Sequence, residues 1–136
     1  MATFKTFEEI EAWKKARELT KRVYRAANKG LFARDFALRD QICRASVSIM
    51  SNIAEGHDRS GIGEFIHFLA TAKGSAAEVR SQLYVALDQN YVTPREFAEM
   101  SALAVETSRM ISGLMKYLAT SGYTGTKYKP RSNRKS

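Results

Sequence analysis

Cysteine is nearly absent from this chain of 136 residues: Cys43 stands alone. An internal disulfide is therefore excluded, and so is any zinc site built on thiolates. A single thiol in an apolar stretch is expected as a small buried residue. Proline is scarce too, with only Pro94 and Pro130. More than ninety residues thus run without the strongest helix breaker, which points to an all-α protein. No stretch nears the roughly 20 apolar residues that a membrane span needs. The N-terminal MATFKTFEEIEAW has no apolar run of signal-peptide length. A cytoplasmic protein without membrane contact is the expectation.

Acidic residues are missing where basic ones cluster. The net charge of +8 divides into +4 over residues 1–30 (eight basic, four acidic), −1 over 31–122 (nine basic, ten acidic) and +5 over 123–136 (five basic, none acidic). The central body is close to neutral, and the excess lies on the first helix and the tail. Clustering of this kind suits a polyanionic partner better than evenly spread charge does.

Apolar spacing defines four amphipathic helices. The first is expected over Phe7–Asn28, with Ala12, Ala16, Leu19, Val23 and Ala26 on one stripe and Trp13, Thr20, Tyr24 and Ala27 beside it. The second, Asp35–Glu55, carries Leu38, Ile42, Ala45, Ile49 and Asn52. A second stripe of Cys43, Val47, Met50 and Ala54 makes its apolar face wider than one bundle core needs, so a subunit contact is expected there. The third, Glu64–Asn90, alternates strictly through Phe65, Leu69, Ala72, Ala76, Val79, Leu83 and Ala86. Gly74 lies mid-helix and should cost about 1 kcal/mol relative to alanine, so close approach of another helix is expected there. The fourth opens on Thr93-Pro94-Arg95-Glu96, a capping box with proline at the first helical position, and ends at Gly122. Short connections, Gly56–Gly63 among them, predict antiparallel neighbours in up-down-up-down order. Residues 1–122 form the four-helix bundle in this reading, and 123–136 a basic tail without apolar periodicity, expected to be disordered.

The stretches Gln41-Ile42-Cys43-Arg44-Ala45, Ser48-Ile49, Ser51-Asn52-Ile53-Ala54-Glu55-Gly56, Arg59, Glu64-Phe65, Phe68-Leu69, Ala72, Gly74-Ser75, Glu78 and Leu83 resemble the four-helix-bundle proteins encoded by intervening sequences in bacterial 23S rRNA genes. Weaker agreement extends over roughly residues 7–120. The resemblance implies a homopentameric ring. It also implies kinship with the accessory variability proteins of diversity-generating retroelements, which bind nucleic acid and a reverse transcriptase. Cys43 stands where that family often has a basic residue, and Gly61 and Gly63 loosen the start of the third helix.

No catalytic set emerges, and no cofactor or metal is expected. Asn52, Glu55, Arg59 and Glu78 are taken as a polar clasp at the bend between helices two and three, and Arg44 and Gly74 join them as candidates for a structural clasp or subunit interface. A general base needs a nucleophile or metal beside it, and none accompanies Glu55. His57 and His67 lack paired acidic ligands at helical spacing. The Arg-x4–6-His spacing of small helical ribonucleases is absent as well: Arg59 and His67 have seven residues between them, Arg44 and His57 twelve. The basic set is the leading candidate: Lys14, Lys21, Arg22 and Arg25 on helix one, with Lys127, Lys129, Arg131, Arg134 and Lys135 in the tail beside Tyr123 and Tyr128. Lysine and arginine engage phosphates, and tyrosine stacks on unpaired bases. The expected function is non-enzymatic binding of RNA or DNA by an oligomer. A protein scaffold for a reverse transcriptase or other polymerase is the alternative, and a helical nuclease the third reading.

Overall fold

A computed structural model describes residues 4–121. Four helices span them: α1 (Glu11–Ala27), α2 (Phe36–Asp58), α3 (Ile62–Asp88) and α4 (Pro94–Ser121). Single 3-10 turns at Phe7–Glu9 and Phe32–Arg34 precede α1 and α2. Each helix packs on the next, and α1 closes on α4, giving a four-cornered antiparallel bundle. At about 1.5 Å per residue α3 is roughly 40 Å long.

The expected core stripes are the observed core. Leu19, Val23, Ile42, Ile49, Phe65, Leu69, Leu83 and Ile111 are buried with no more than 1% of their surface exposed. Each large apolar side chain so removed from water contributes about 1.5–3 kcal/mol. Short side chains at Ala12, Ala16, Ala72, Ala76 and Ala104 let the helices approach across the core.

Helix ends follow local chemistry. The Thr93 hydroxyl accepts from the Glu96 amide at 3.0 Å and the Glu96 carboxylate accepts from the Thr93 amide at 2.9 Å, the reciprocal capping box. Asp35 caps α2, its Oδ1 accepting from the Leu38 amide at 3.1 Å. Its Oδ2 accepts from the Tyr91 hydroxyl at 3.0 Å, which ties the start of α2 to the α3–α4 connection. Tyr91 also stacks on Phe32, with centroids 5.2 Å apart. α3 stops because Asn90 turns left-handed (φ 61°) and the Tyr91 amide donates back to the Ala86 carbonyl at 2.8 Å, a Schellman ending with asparagine in glycine's usual place.

Three expectations need correction. α1 starts at Glu11, because Phe7–Glu9 form a 3-10 turn that lays Phe7 edge-on against Trp13, centroids 5.1 Å apart. α2 does not bend at Glu55-Gly56: it continues through Gly56 and His57 to Asp58, and the bend is Arg59–Gly61. The second stripe of α2 is largely consumed inside the protomer. Cys43, Met50, Trp13 and Phe7 pack against the core from its edge, leaving Val47 39% exposed.

The close approach falls at Gly56 rather than Gly74. A Cβ on Gly56 would stand 2.8 Å from the Phe68 Cβ and 3.0 Å from Phe65 Cδ1, whereas one on Gly74 would meet nothing within 4 Å. Gly74 faces outward from α3 and no helix of its own chain covers it.

Candidate nucleic-acid interface

On α1, Lys14, Arg17, Lys21 and Arg25 follow one another at intervals of three and four, so they share a face. All four are exposed, opposite the buried stripe of Ala12, Ala16, Leu19 and Val23. Their availability differs. Lys14 pairs with Glu11 at 3.0 Å. The Arg17 guanidinium lies 5.8 Å from the centre of the Trp13 ring. Lys21 and Arg25 have no carboxylate within ion-pair distance among the described residues.

The flank of α1 toward α4 is neutralised. Arg22 reaches Glu18 at 3.5 Å and Glu99 at 3.3 Å, and Glu99 also receives Arg95 at 3.3 Å. Lys15 reaches Glu106 at 3.4 Å. These pairs are exposed, each worth a fraction of a kcal/mol, but they hold charge in place. Arg22, expected in the binding set, is thus committed to α4, and its charge is shared with two carboxylates.

The flank toward α2 differs. Thr20 donates to the Ala16 carbonyl at 2.8 Å and approaches the Ser46 carbonyl at 3.2 Å, pinning the two helices together. Beside that pin lies a cleft of about 560 Å³ lined by Tyr24, Asn28, Arg39, Asp40, Cys43, Arg44 and Val47. Tyr24 is 42% exposed. Arg44, a candidate for the clasp or subunit interface, stands here, exposed and without a carboxylate partner among the described residues. Arg39 is engaged: it contacts Asp40 at 3.4 Å, donates to the Ala33 carbonyl at 3.0 Å and covers the Phe36 ring at 4.9 Å. Burial raises the Cys43 thiol above its ordinary value, partly offset by Arg39.

The proposed clasp separates into two parts, and Glu78 joins neither. Glu55 and Arg59 form an ion pair at 2.7 Å, and the Arg59 guanidinium lies 4.9 Å over the Phe68 ring of α3. Asn52 donates to the Ser48 carbonyl at 2.8 Å and to the Ser48 hydroxyl at 3.0 Å, which sits 2.9 Å from the Ser75 hydroxyl. Glu78 is exposed, ten residues beyond Phe68 and roughly 15 Å further along the helix. It has no ion-pair partner among the described residues. Sequence reasoning missed His57, which is 4% exposed. Its Nε2 lies 2.9 Å from the Phe4 carbonyl oxygen, an acceptor only, so that ring nitrogen carries the proton and anchors the N-terminal segment. The sequence signal was available: a histidine one residue from a stripe position on a longer α2.

Lys127, Lys129, Arg131, Arg134 and Lys135 lie outside the described residues. Among the described residues no three His, Cys, Asp or Glu side chains gather as metal ligands, and no helix is long and apolar enough to cross a membrane.

Among solved structures, the chain is similar to a protein of unknown function from the S23 ribosomal protein family of Bacteroides thetaiotaomicron. The two share 22% identity over 77% of this chain and 98% of that one, with a TM-score of 0.71, a likeness of fold. No curated protein matches the chain. The pattern of the family described as 23S rRNA-intervening sequence protein matches residues 8–113, which spans all of α1, α2 and α3 and most of α4. The chain therefore belongs to the 23S rRNA-intervening sequence protein family.

Proposed function

We propose that this protein is a non-enzymatic nucleic-acid-binding accessory protein that works as an oligomer. The observation that carries the reading is the α1 face of Lys14, Arg17, Lys21 and Arg25, exposed and mostly free of carboxylates, with Arg44 across the cleft. The five cations of residues 123–136 add to it from the sequence. Four phosphate contacts on this face would lower affinity roughly 50- to 150-fold between 50 and 200 mM salt through counterion release.

Gel shift of the full chain at those two salt concentrations tests the proposal. Lys21→Glu with Arg25→Glu, both on exposed positions, should abolish most binding at unchanged helicity. Deletion of 123–136 should weaken binding further. No binding of RNA or DNA at the lower salt overturns the reading.

The oligomer proposed is the homopentamer that the family resemblance implies. What supports a subunit contact is the outer face of α3, where Gly63, Ala70, Gly74, Ala77 and Ser81 are exposed and small, so that a second backbone can come close. Light scattering should give five times the 15.3 kDa chain mass, and Gly74→Leu should reduce it to one. A monomer at micromolar concentration overturns this part.

A further inference from the structure

The geometry points to the α1–α2 cleft at Tyr24 as a pocket for one unpaired base of a single-stranded nucleic acid, with Lys21 and Arg44 on the flanking phosphates. This rests on the nucleic-acid reading above and specifies which form of nucleic acid is bound and where.

The clefts on the bundle surface differ in charge and in aromatic lining. The one between α1 and α4 measures about 280 Å³, and its Arg22, Arg25 and Lys29 face Glu96 and Glu99. The one beside the bend is about 580 Å³ and pairs Glu55 and Asp58 with a single Arg59. The bend cleft, with two carboxylates to one arginine, repels a polyanion, and the α1–α4 cleft has no aromatic ring in its lining. The cleft at Tyr24 holds an aromatic ring and two arginines against one carboxylate; Lys21 stands on the helix that forms its wall, and Arg25 on the same helix lines the cleft toward α4. Its volume of about 560 Å³ falls in the range of small-ligand sites.

The interior of the cleft suits a base, and its rim suits phosphate. Tyr24 offers a ring that is 42% exposed, beside the apolar Val47. A nucleobase gains affinity by stacking on such a ring, whatever its identity. Asp40 stands in the cleft, and its carboxylate repels phosphate while accepting from the amino groups of a base. Asn28 spends its amide N–H on the Tyr24 carbonyl at 2.7 Å, which leaves its oxygen as a second acceptor. Arg44, unlike Arg39, has no ion-pair partner to leave among the described residues. A recessed ring between two helices cannot meet base faces that are already stacked in a duplex, so the occupant is single-stranded.

The test is fluorescence anisotropy of the full chain with a labelled RNA strand of about twelve nucleotides, and with the same sequence as a blunt duplex, at about 50 mM salt. Tyr24→Leu keeps apolar bulk and removes the stacking face; Tyr24→Phe keeps the face. Tyr24→Leu should weaken single-strand binding roughly 5- to 150-fold, while Tyr24→Phe binds as the parent does. The duplex should bind more weakly than the single strand. Cys43, on the cleft wall, gives a second readout: the bound strand should slow its alkylation by maleimide, measured by mass spectrometry.

Duplex bound as tightly as single strand, or a Tyr24→Leu variant equal to the parent, overturns the pocket while leaving nucleic-acid binding in place. Protection of Cys43 that grows with protein concentration and needs no RNA would make the cleft a contact between copies of this chain, and overturns it too. Failure of both RNA forms to bind at low salt removes the broader reading along with the pocket.

Discussion

Gly56→Ala and Gly74→Ala make the same chemical change in two interior helical positions, and the structure requires opposite outcomes. Alanine is favoured over glycine in a helix by about 1 kcal/mol, because the glycine chain has more conformational freedom to lose. That gain applies equally at both sites. At Gly74 nothing of its own chain lies within 4 Å of the new methyl, so in the dissociated chain the gain stands and the protomer should be more stable by about 0.5–1 kcal/mol. At Gly56 the methyl would stand 2.8 Å from the Cβ of Phe68 and 3.3 Å from the Phe65 carbonyl oxygen. Neither is the movable end of a side chain. A Cβ is fixed to its backbone, so relief requires α2 and α3 to separate near the bend. Overpacking of this kind costs about 1–3 kcal/mol, more than the helical gain offsets.

Gly56→Ala should therefore lose about 1–2 kcal/mol net. For a chain of this size that lowers Tm by roughly 3–8 °C. Urea unfolding followed by circular dichroism, at one protein concentration for all variants because assembly adds concentration-dependent stability, reads both changes. A Gly56→Ala protein as stable as the parent would refute the proposed α2–α3 contact. A Gly74→Ala destabilised in the dissociated chain would refute an outer face on α3 open within the protomer, whereas a loss seen only where the chain assembles is the outcome expected of the proposed subunit contact.

Further outcomes follow from individual contacts. Thr93→Ala removes one arm of the capping box and should cost about 1 kcal/mol in urea unfolding; no change would mean that Glu96 alone suffices. Glu99→Gln releases Arg22 and Arg95 from a shared carboxylate, so gel shifts should show tighter nucleic-acid binding with a steeper salt dependence, and weaker binding would count against the α1 face. Tyr91 donates to Asp35, and ionising it would end that bond beside a negative charge, so its phenol titrates above the ordinary tyrosine range. A raised folded value means that the contribution is whole below the ordinary range and is lost as pH rises through the raised value. In thermal melts on the alkaline side, Tyr91→Phe should lose less stability than the parent over that interval; parallel curves would refute the link.

Much of the fold was legible because burial repeats with the helical period. Phe65, Leu69, Ala72, Ala76, Val79, Leu83 and Ala86 announce a buried face at every step, and all seven are buried. Thr93 and Glu96 announce a helix start by local chemistry alone. The bend was misplaced for a physical reason. A glycine after a polar residue reads as a stop, yet Gly56 is in α2 because Phe65 and Phe68 press on it, and that pressure comes from residues nine and twelve positions later. Gly74 was misjudged in the same way. Its cost to the helix is visible in the sequence, but whether a neighbour compensates depends on which side of α3 faces its own bundle.

The candidate interface was legible only in part, because a sequence gives the position of a charge but not its partner. Arg22 and Lys21 are adjacent in the chain and looked equivalent. They differ because one helical step of roughly 100° turns Arg22 toward Glu99 on α4 and Lys21 toward open solvent. Glu99 lies 77 residues away from Arg22, so no local pattern could pair them. Arg44 lies on the rim of the Tyr24 cleft, because α1 and α2 run antiparallel and bring its turn level with Tyr24. The same packing that neutralises the α4 side of α1 leaves its α2 side positive. A helix with its cations spread around its circumference thereby acquires one face for its own bundle and another for an external anion.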